Sequence, residues 1–287
     1  MGAPMAELAF DPAGLDTWTE STTFEVTEER IAEYAAATND PIEAHRAGTV
    51  ASPVFAIVPV FQSLVEPVLA VVPTDLIGRI VHGEQDFVFH RPIAPGETLV
   101  SSARMTGWAG RDNGTAVCVR LRTTTEDGEA VNDQYVTSFV RGFNAGSTVG
   151  TLAPEHKFDE SLRTSEPVAV VRQHVDDDQT YRYGPAAGDP MPIHLDEEFA
   201  RQMGLPGIIA HGMCTMAFTS WAVLTELTGG DVARLRRLAV RFARPVLPGQ
   251  DITTTIWRVG EQTFAYETTA GDTVVIKDGL AELAGAR

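Results

Sequence analysis

The stretches FVFHRPIAPGE (residues 87–97) and VRFARPVLPGQ (residues 240–250) are two versions of one pattern. In each, a phenylalanine stands two positions before an Arg-Pro pair, and two further residues separate that pair from a Pro-Gly turn. Upstream, ATNDPIEAH (residues 37–45) matches AAGDPMPIH (residues 186–194), and both carry Asp and His five positions apart. Because the matches keep the same order and nearly the same separation, the chain is a duplicated domain, each copy covering about half of it.

The residues around these motifs predict the same order of elements in both halves. In the first half, Thr27 is typical of the N-cap of a helix that reaches about residue 37, and residues 54–72 predict a mostly apolar, buried helix that Pro59 and Pro67 should kink or delimit. Helices of the second half are predicted at 176–183, 197–203 and 213–227. Segments rich in Val, Thr and aromatic residues predict strands at 77–81, 85–89, 98–107, 115–125, 130–141, 235–242, 251–259, 263–270 and 273–283.

An apolar helix followed by antiparallel strands predicts a sheet wrapped around that helix. Such a sheet buries one of its faces, and a helix that is apolar on all sides must be covered on all sides. The fold class is therefore α+β, with two antiparallel sheets, each wrapped around a central apolar helix. The repeat places an N-terminal unit at 1–143 and a C-terminal unit at 167–287. Residues 144–166, rich in Gly, Ser, Thr, Pro and charges, form the linker.

The charge balance excludes some classes of partner. The chain has 22 Lys plus Arg against 39 Asp plus Glu, a formal net charge of -17. We therefore expect neither nucleic acid nor an anionic membrane as the main partner. Cys118 and Cys214 are far apart and form no metal-type spacing, so we expect a reducing compartment, no disulfide and no metal.

The chain carries no clear targeting or spanning segment. Residues 1–16 lack a basic region followed by an apolar core, and the C-terminal Gly-Ala-Arg is not a peroxisomal signal. The apolar stretch 53–73 is interrupted by Gln62, Glu66 and prolines. We therefore expect a cytoplasmic protein without membrane insertion.

The second half contains a specific succession of residues: Tyr183, Gly188-Asp189, Pro192, His194 and Ala210-His211-Gly212. This succession resembles the hydratase 2 motif of MaoC-like (R)-specific enoyl-CoA hydratases and 3-hydroxyacyl-thioester dehydratases, and the RPxxPG turns resemble those of the same family. The resemblance implies a double hotdog fold over most of the chain. It also implies that Asp189 and His194 are catalytic, that the Gly212 amide forms the oxyanion hole, and that no cofactor is needed.

The same residues fit the chemistry without the family. Adding water to a 2-enoyl thioester needs a base for the water, a proton for the α-carbon and donors for the charge on the thioester oxygen. Asp189 and His194 can supply the first two if their loop brings both side chains to one water. Gly212 can supply the third, because a helix N-terminus has unpaired N–H groups and glycine allows close approach.

Two residues of the motif leave their roles open. Met191 stands where the resembling family has Asn, and a thioether cannot make the hydrogen bonds of an amide. This departure indicates a slower or differently specialised catalyst. His211 either packs at the helix entry or takes part in the site, and both residues are candidates for substrate binding.

The first half copies the spacing of the catalytic pair in Asp40 and His45, but residues 52–59, SPVFAIVP, contain no His-Gly at the start of its apolar helix. Without the oxyanion amide this site lacks its main electrostatic contribution, so we expect a structural turn. The resemblance implies that this non-catalytic half houses the acyl chain.

Arginines cluster in RLRRLAVRFAR, residues 234–244. Arg237 and Arg244 are candidates for binding the phosphates of CoA or of a phosphopantetheine arm. The alternative is a solvated strand edge that discourages further pairing.

The sequence favours reversible hydration of trans-2-enoyl thioesters to (3R)-3-hydroxyacyl thioesters in fatty-acyl metabolism, catalysed by a hydro-lyase. The alternatives are a hotdog acyl-CoA thioesterase and a non-catalytic subunit that binds acyl thioesters. The partner is an acyl-CoA or acyl-carrier-protein thioester, and the chain is expected to be a monomer or a homodimer. Chain length, carrier and physiological direction stay open.

Overall fold

The computed structural model describes residues 8–285. Residues 1–7 and 286–287, which bear on the expected absence of targeting signals, lie outside the described residues. The strands are β1 (Thr22–Glu25), β2 (Ile80–Phe89), β3 (Thr98–Arg111), β4 (Gly114–Thr125), β5 (Ala130–Arg141), β6 (Val149–Gly150), β7 (Ala169–His174), β8 (Leu235–Phe242), β9 (Asp251–Arg258), β10 (Thr263–Ala270) and β11 (Thr273–Leu283). The α-helices are α1 (Glu28–Ala37), α2 (Glu43–Arg46), α3 (Val65–Val71), α4 (Gln179–Ala187), α5 (Glu197–Gln202) and α6 (Gly212–Thr228).

The two halves share one sheet. Its eleven strands run in the order β1-β3-β4-β5-β2-β8-β11-β10-β9-β7, with β6 paired to β3, and every pairing is antiparallel. The junction is the β2–β8 pair, in which Asp86 lies opposite Ala239 and Phe87 opposite Leu238. The predicted α+β double hotdog is confirmed, with the two predicted sheets joined edge to edge.

The central helices of the two halves differ. In the second half, α6 runs unbroken for 17 residues, most of them buried, and ends at Gly229 in the left-handed conformation (φ 65°). In the first half the corresponding segment is divided into a 3-10 helix, Pro53–Leu64, and the α-helix α3, so the helix predicted over 54–72 is not a single α-helix. Pro59 explains the difference, because it has no N–H to donate and its ring blocks an α-helical turn.

The apolar segment Pro53–Val71 is long and apolar enough to cross a membrane by length and composition alone. In the structure more than half of it is buried, and it packs against β3 and β4 as the core segment of the first half. A core helix passes the same test of length and composition, so the expected lack of membrane insertion stays a prediction.

The sequence patterns missed the two outermost strands, β1 and β7. Both lie at the ends of the sheet and are largely exposed, so they lack the apolar runs that mark the inner strands. Two predicted strands, at 77–81 and 85–89, are replaced by the single strand β2, which has an irregularity between His82 and Glu84, and residues 77–79 lie in the 3-10 helix Thr74–Arg79.

The predicted linker contacts both halves. Within it, β6 pairs with β3 of the first half. Further along, His156 donates a hydrogen bond from Nδ1 to the carbonyl of Asp278 in the second half, at 2.6 Å.

Candidate active site

A tight loop after α4 places Asp189. Gly188 ends the helix in the left-handed conformation (φ 71°), which glycine adopts without strain, and the Asp189 amide then donates to the carbonyl of Gly184 at 3.0 Å. One oxygen of the Asp189 carboxylate accepts a hydrogen bond from the Met191 amide at 3.1 Å. The loop thus holds the carboxylate in a fixed position and leaves its second oxygen for other partners.

His194 closes the same loop at the end of a 3-10 turn, Pro192–His194, and is buried. Its Nδ1 lies 2.9 Å from the carbonyl oxygen of Ile209. A carbonyl can only accept, so Nδ1 carries the proton and Nε2 of the neutral ring keeps a lone pair. His194 is therefore oriented as a base.

The structure brings Asp189, His194 and His211 together. One side-chain donor or acceptor atom of each lies within 4.8 Å of those of the others. The rings of His194 and His211 stack with their centroids 3.8 Å apart, and Nε2 of His211 lies 3.3 Å from the Asp189 carbonyl oxygen. His211 therefore supports both the ring of His194 and the backbone of Asp189.

Burial shifts the protonation of all three residues toward their neutral forms. It raises the pKa of Asp189 and lowers that of His194, while the charge of each partly offsets the shift of the other. Burial, together with the neighbouring His194, lowers the pKa of His211 to about 3. Burial thus moves the pKa of Asp189 in the direction that suits a proton donor and keeps the imidazoles in the neutral form that can accept a proton.

Gly212 is the first residue of α6, directly after His211. A Cβ at this position would lie 3.3 Å from the ring of Phe242 on β8, so glycine allows the helix start to pack closely against the strand. Among the described residues, the Gly212 amide makes no hydrogen bond. It is therefore free to donate to a ligand, and the dipole of α6 favours negative charge there.

Met191 contributes its backbone to the loop, while its side chain is 49% exposed. The amide of Met191 fixes Asp189, a contact that any residue except proline could make. The part of this position in substrate binding stays a prediction.

A tyrosine of the first half, which the sequence patterns missed, supports the site from behind. The buried hydroxyls of Tyr34 and Tyr183 lie 3.3 Å apart, and the ring of Tyr183 lies 4.8 Å from that of His211. Each tyrosine stands six positions before the Asp of its repeat, so the duplication itself could have identified Tyr34.

Asp40 and His45 are arranged differently from their counterparts. Nδ1 of His45 lies 2.7 Å from the Asp40 carboxylate, whose other oxygen accepts from the Ile42 amide at 2.9 Å, and both side chains are fully buried. The Asp40 carboxylate binds Nδ1 of His45, whereas in the second half the Ile209 carbonyl binds the equivalent Nδ1 of His194. The pair thus forms a closed local unit, as a structural turn would, and its lack of catalysis stays a prediction.

The structure does not bring Arg237 to the catalytic loop. Its guanidinium donates to both oxygens of the buried Asp86 carboxylate, at 2.8 and 3.0 Å, and lies 3.5 Å from Glu282. Along β8, Leu238 and Val240 belong to the core and Phe242 contacts Gly212, so by strand alternation Arg237 points to the opposite face. Asp86 already balances its charge, which disfavours a role in binding phosphate.

Arg244 follows Phe242 and is exposed, and among the described residues it has no ion pair. Its guanidinium makes one hydrogen bond, to the carbonyl of Ala243 at 3.3 Å. It stays a candidate for contact with a phosphate.

Comparison with known proteins agrees with this geometry. The family model described as "MaoC like domain" matches residues 156–279, and "FAS1-like, dehydratase domain region" matches residues 14–134. The 3-hydroxyacyl-thioester dehydratase Y of Mycobacterium tuberculosis is 29% identical over 96% of this chain and 99% of its own length. The probable enoyl-CoA hydratase 2 of Dictyostelium discoideum is 27% identical over 70% of this chain and 69% of its own.

A solved structure agrees at the level of the fold. The MaoC-like dehydratase of Phytophthora capsici superimposes with a TM-score of 0.83 at 23% identity, covering 94% of this chain and 96% of its own. Residues 156–279 thus match the MaoC like domain, and the chain is homologous to proteins named enoyl-CoA hydratase 2 and 3-hydroxyacyl-thioester dehydratase, as its Tyr183–Gly212 motif predicted.

Proposed function

We propose that the protein adds water to trans-2-enoyl thioesters, giving (3R)-3-hydroxyacyl thioesters, and catalyses the reverse dehydration at the Asp189–His194 site. A hydro-lyase acting on fatty-acyl thioesters agrees with the homologues. One observation carries the residue roles: His194 is held with Nε2 free to accept a proton, near Asp189 and the start of α6.

Hydration then runs as one balanced sequence. His194 takes a proton from water through Nε2 while the water oxygen bonds to C3 of the enoyl group. The π electrons move toward the thioester oxygen, whose negative charge the Gly212 N–H stabilises. When the carbonyl reforms, Asp189 gives a proton to C2, and the proton on His194 passes to Asp189 to restore the starting state. The sum is addition of one water molecule.

The raised pKa of Asp189 supports its role as an acid. A higher pKa increases the protonated fraction of a carboxyl group, and only the protonated form can give a proton to carbon. Burial that favours the neutral acid and the neutral imidazole prepares both groups for proton transfer in opposite directions.

The test is loss of the conjugated enoyl-thioester absorbance when purified protein is mixed with crotonyl-CoA, with the 3-hydroxy product identified by mass spectrometry. Release of free thiol without hydration would instead show a thioesterase, and binding without turnover a non-catalytic subunit. Because Asp189, His194 and His211 could together hold a metal ion, the assay is repeated after dialysis against a chelator. The proposed proton transfers need no metal, so turnover is expected to be unchanged.

A further inference from the structure

His82, on the first half, points toward the oxyanion end of the second half. In the β2–β5 pairing, His82 lies opposite Ser138 and Glu84 opposite Thr137, so Gly83 is an extra residue, a β-bulge. Beyond the bulge, Gln85 and Phe87 are buried toward the core, while Glu84 lies opposite Arg241. Simple alternation would place His82 on the same face as Glu84. The bulge reverses this and turns the imidazole inward, as bulges beside active sites commonly do.

The inward ring of His82 lies close to the proposed oxyanion amide. It meets the ring of Phe242 edge to face, with centroids 5.0 Å apart and planes at 71°. Phe242 in turn packs against Gly212, where an added Cβ would lie 3.3 Å from the phenyl ring. One aromatic side chain therefore separates His82 from the Gly212 amide.

His82 and Phe242 also line a cavity of about 300 Å³ at the seam between the halves. Phe139 and Val81 form part of the apolar wall of this cavity. The charged residues Glu84, Arg111 and Arg241 also line it. It shares these charged residues with a larger groove of about 940 Å³ on the linker side. The two cavities therefore adjoin along the seam, beside the ring that covers Gly212.

His82 has an unused hydrogen-bonding atom. Its Nε2 is buried, and among the described residues it has no hydrogen-bond partner. Burial lowers the pKa of His82 to about 4, an effect that the neighbouring Gln85 side chain and Glu84 backbone only partly offset, so the ring is neutral at physiological pH and suits an uncharged polar partner. A buried polar atom without a partner is uncommon in folded proteins and needs a physical reason.

We propose that His82 is a positioning residue that hydrogen-bonds, through Nε2, an amide of the phosphopantetheine arm carrying the thioester. This proposal rests on the proposed hydratase function and adds the first half to the substrate contacts. The arm enters along the seam cavity and parts the His82–Phe242 contact, so that the thioester oxygen reaches Gly212. Its phosphate end remains near Arg111, which is exposed and has no ion pair among the described residues.

The experiment compares substrates with and without the arm. Wild type, His82→Leu and His82→Gln are assayed with crotonyl-pantetheine and with S-ethyl thiocrotonate, which has the same reacting atoms and no amide. We expect His82→Leu to lower kcat/KM for crotonyl-pantetheine about tenfold, the effect of one lost hydrogen bond, and to leave S-ethyl thiocrotonate within about twofold. His82→Gln, which keeps a polar side chain, should recover most of the loss.

A matched control is His90→Leu, which removes an exposed histidine just after the same strand. It should leave both substrates unchanged. An equal loss on both substrates in His82→Leu would show a merely structural role, and no loss on either would remove the contact. Crotonyl-CoA and a crotonyl-acyl carrier protein are assayed side by side, and the better substrate identifies the carrier that supplies the arm.

A binding measurement separates this proposal from the hydratase function. Calorimetric titration with butyryl-pantetheine, which has no double bond to hydrate, should show about tenfold weaker binding to His82→Leu than to wild type. That result would keep the arm contact even if the wild type proved unable to hydrate crotonyl thioesters. Equal affinity of the two proteins would overturn the contact whatever the catalytic result.

Discussion

Tyr34 and Tyr183 meet hydroxyl to hydroxyl at 3.3 Å, one from each half, in the buried seam behind the candidate active site. Tyr183 also packs against His211, which stacks on His194. The first half therefore contacts the catalytic loop of the second through a chain of rings, although its own Asp40 and His45 bind each other.

The tyrosine pair gives a prediction about coupling between the halves. Tyr34→Phe leaves the Tyr183 hydroxyl buried without its partner and should cost about 1–3 kcal/mol of unfolding free energy. Tyr34→Phe combined with Tyr183→Phe should cost less than the sum of the single changes, because the pair is removed together. Urea unfolding of the four proteins measures this, and strictly additive changes would show that the hydroxyls do not interact.

The catalytic pair gives a prediction about turnover. Asp189→Asn should leave folding intact and lower kcat about a hundredfold or more, because the amide cannot supply the proton for C2. His194→Ala should have a similar effect, and the double variant should be little worse than either single, since both groups act in one reaction sequence. Steady-state rates with crotonyl-CoA test this, and near-normal turnover of Asp189→Asn would remove its assigned role.

The duplicated pair serves as the matched control for that experiment. Asp40→Asn combined with His45→Ala should leave kcat within about threefold of wild type, because this pair has no His-Gly helix start beside it. The change should instead lower the unfolding free energy by about 1 kcal/mol or more, since it breaks buried hydrogen bonds. A large fall in kcat with unchanged thermal unfolding would show a second working site.

The buried histidines predict that the protein loses stability in mild acid. In the unfolded chain histidine binds a proton near pH 6.5, whereas folding lowers the pKa of His82 to about 4 and of His211 to about 3. Between pH 6.5 and about 4 the unfolded state therefore binds more protons, and stability falls as pH falls. Asp189 and the exposed His174, whose pKa values are raised, act in the opposite direction, while His194, whose pKa is lowered by burial, adds to the loss.

Urea midpoints at pH 7 and pH 5 test this, with an expected loss on the order of 1 kcal/mol for each buried imidazole. His82→Leu should reduce the pH dependence. A midpoint that stays constant across this range would mean that the imidazoles become accessible to protons in the folded protein.

Much of the candidate site followed from the sequence because its residues are close along the chain. Asp189 and His194 lie in one loop, Gly212 begins the second helix after it, and the repeat distinguished the two halves by the His-Gly that only one contains. Local motifs identify such sites because backbone turns bring their members together.

The contacts across the seam could not be predicted in this way. The sequence makes Arg237 a candidate for phosphate binding, and only the β2–β8 register shows that Asp86 already binds it. The bulge that turns His82 inward depends on pairing with β5, and no local pattern marks it. Pro59 and Pro67 indicated that the helix over 54–72 would be kinked or delimited, but the 3-10 form of Pro53–Leu64 was missed because an apolar run does not specify helix type.

The β2–β8 register also shows that joining the two copies in one chain allows an ion pair that a dimer of identical copies would not have. Phe89 and Phe242 are counterparts in the repeat, which makes Asp86 and Ala239, each three residues earlier, counterparts as well, and these two lie directly opposite one another. They mark a pseudo-twofold axis, the place where each residue of an identical dimer would face its own copy. In an identical dimer, aspartate on this axis would place two buried carboxylates against each other. Burying a charge costs free energy, and two like charges offer no attraction to offset that cost. One covalent chain allows Ala239 on one side of the axis and Asp86 on the other, so the Asp86–Arg237 ion pair exists because the symmetry is broken.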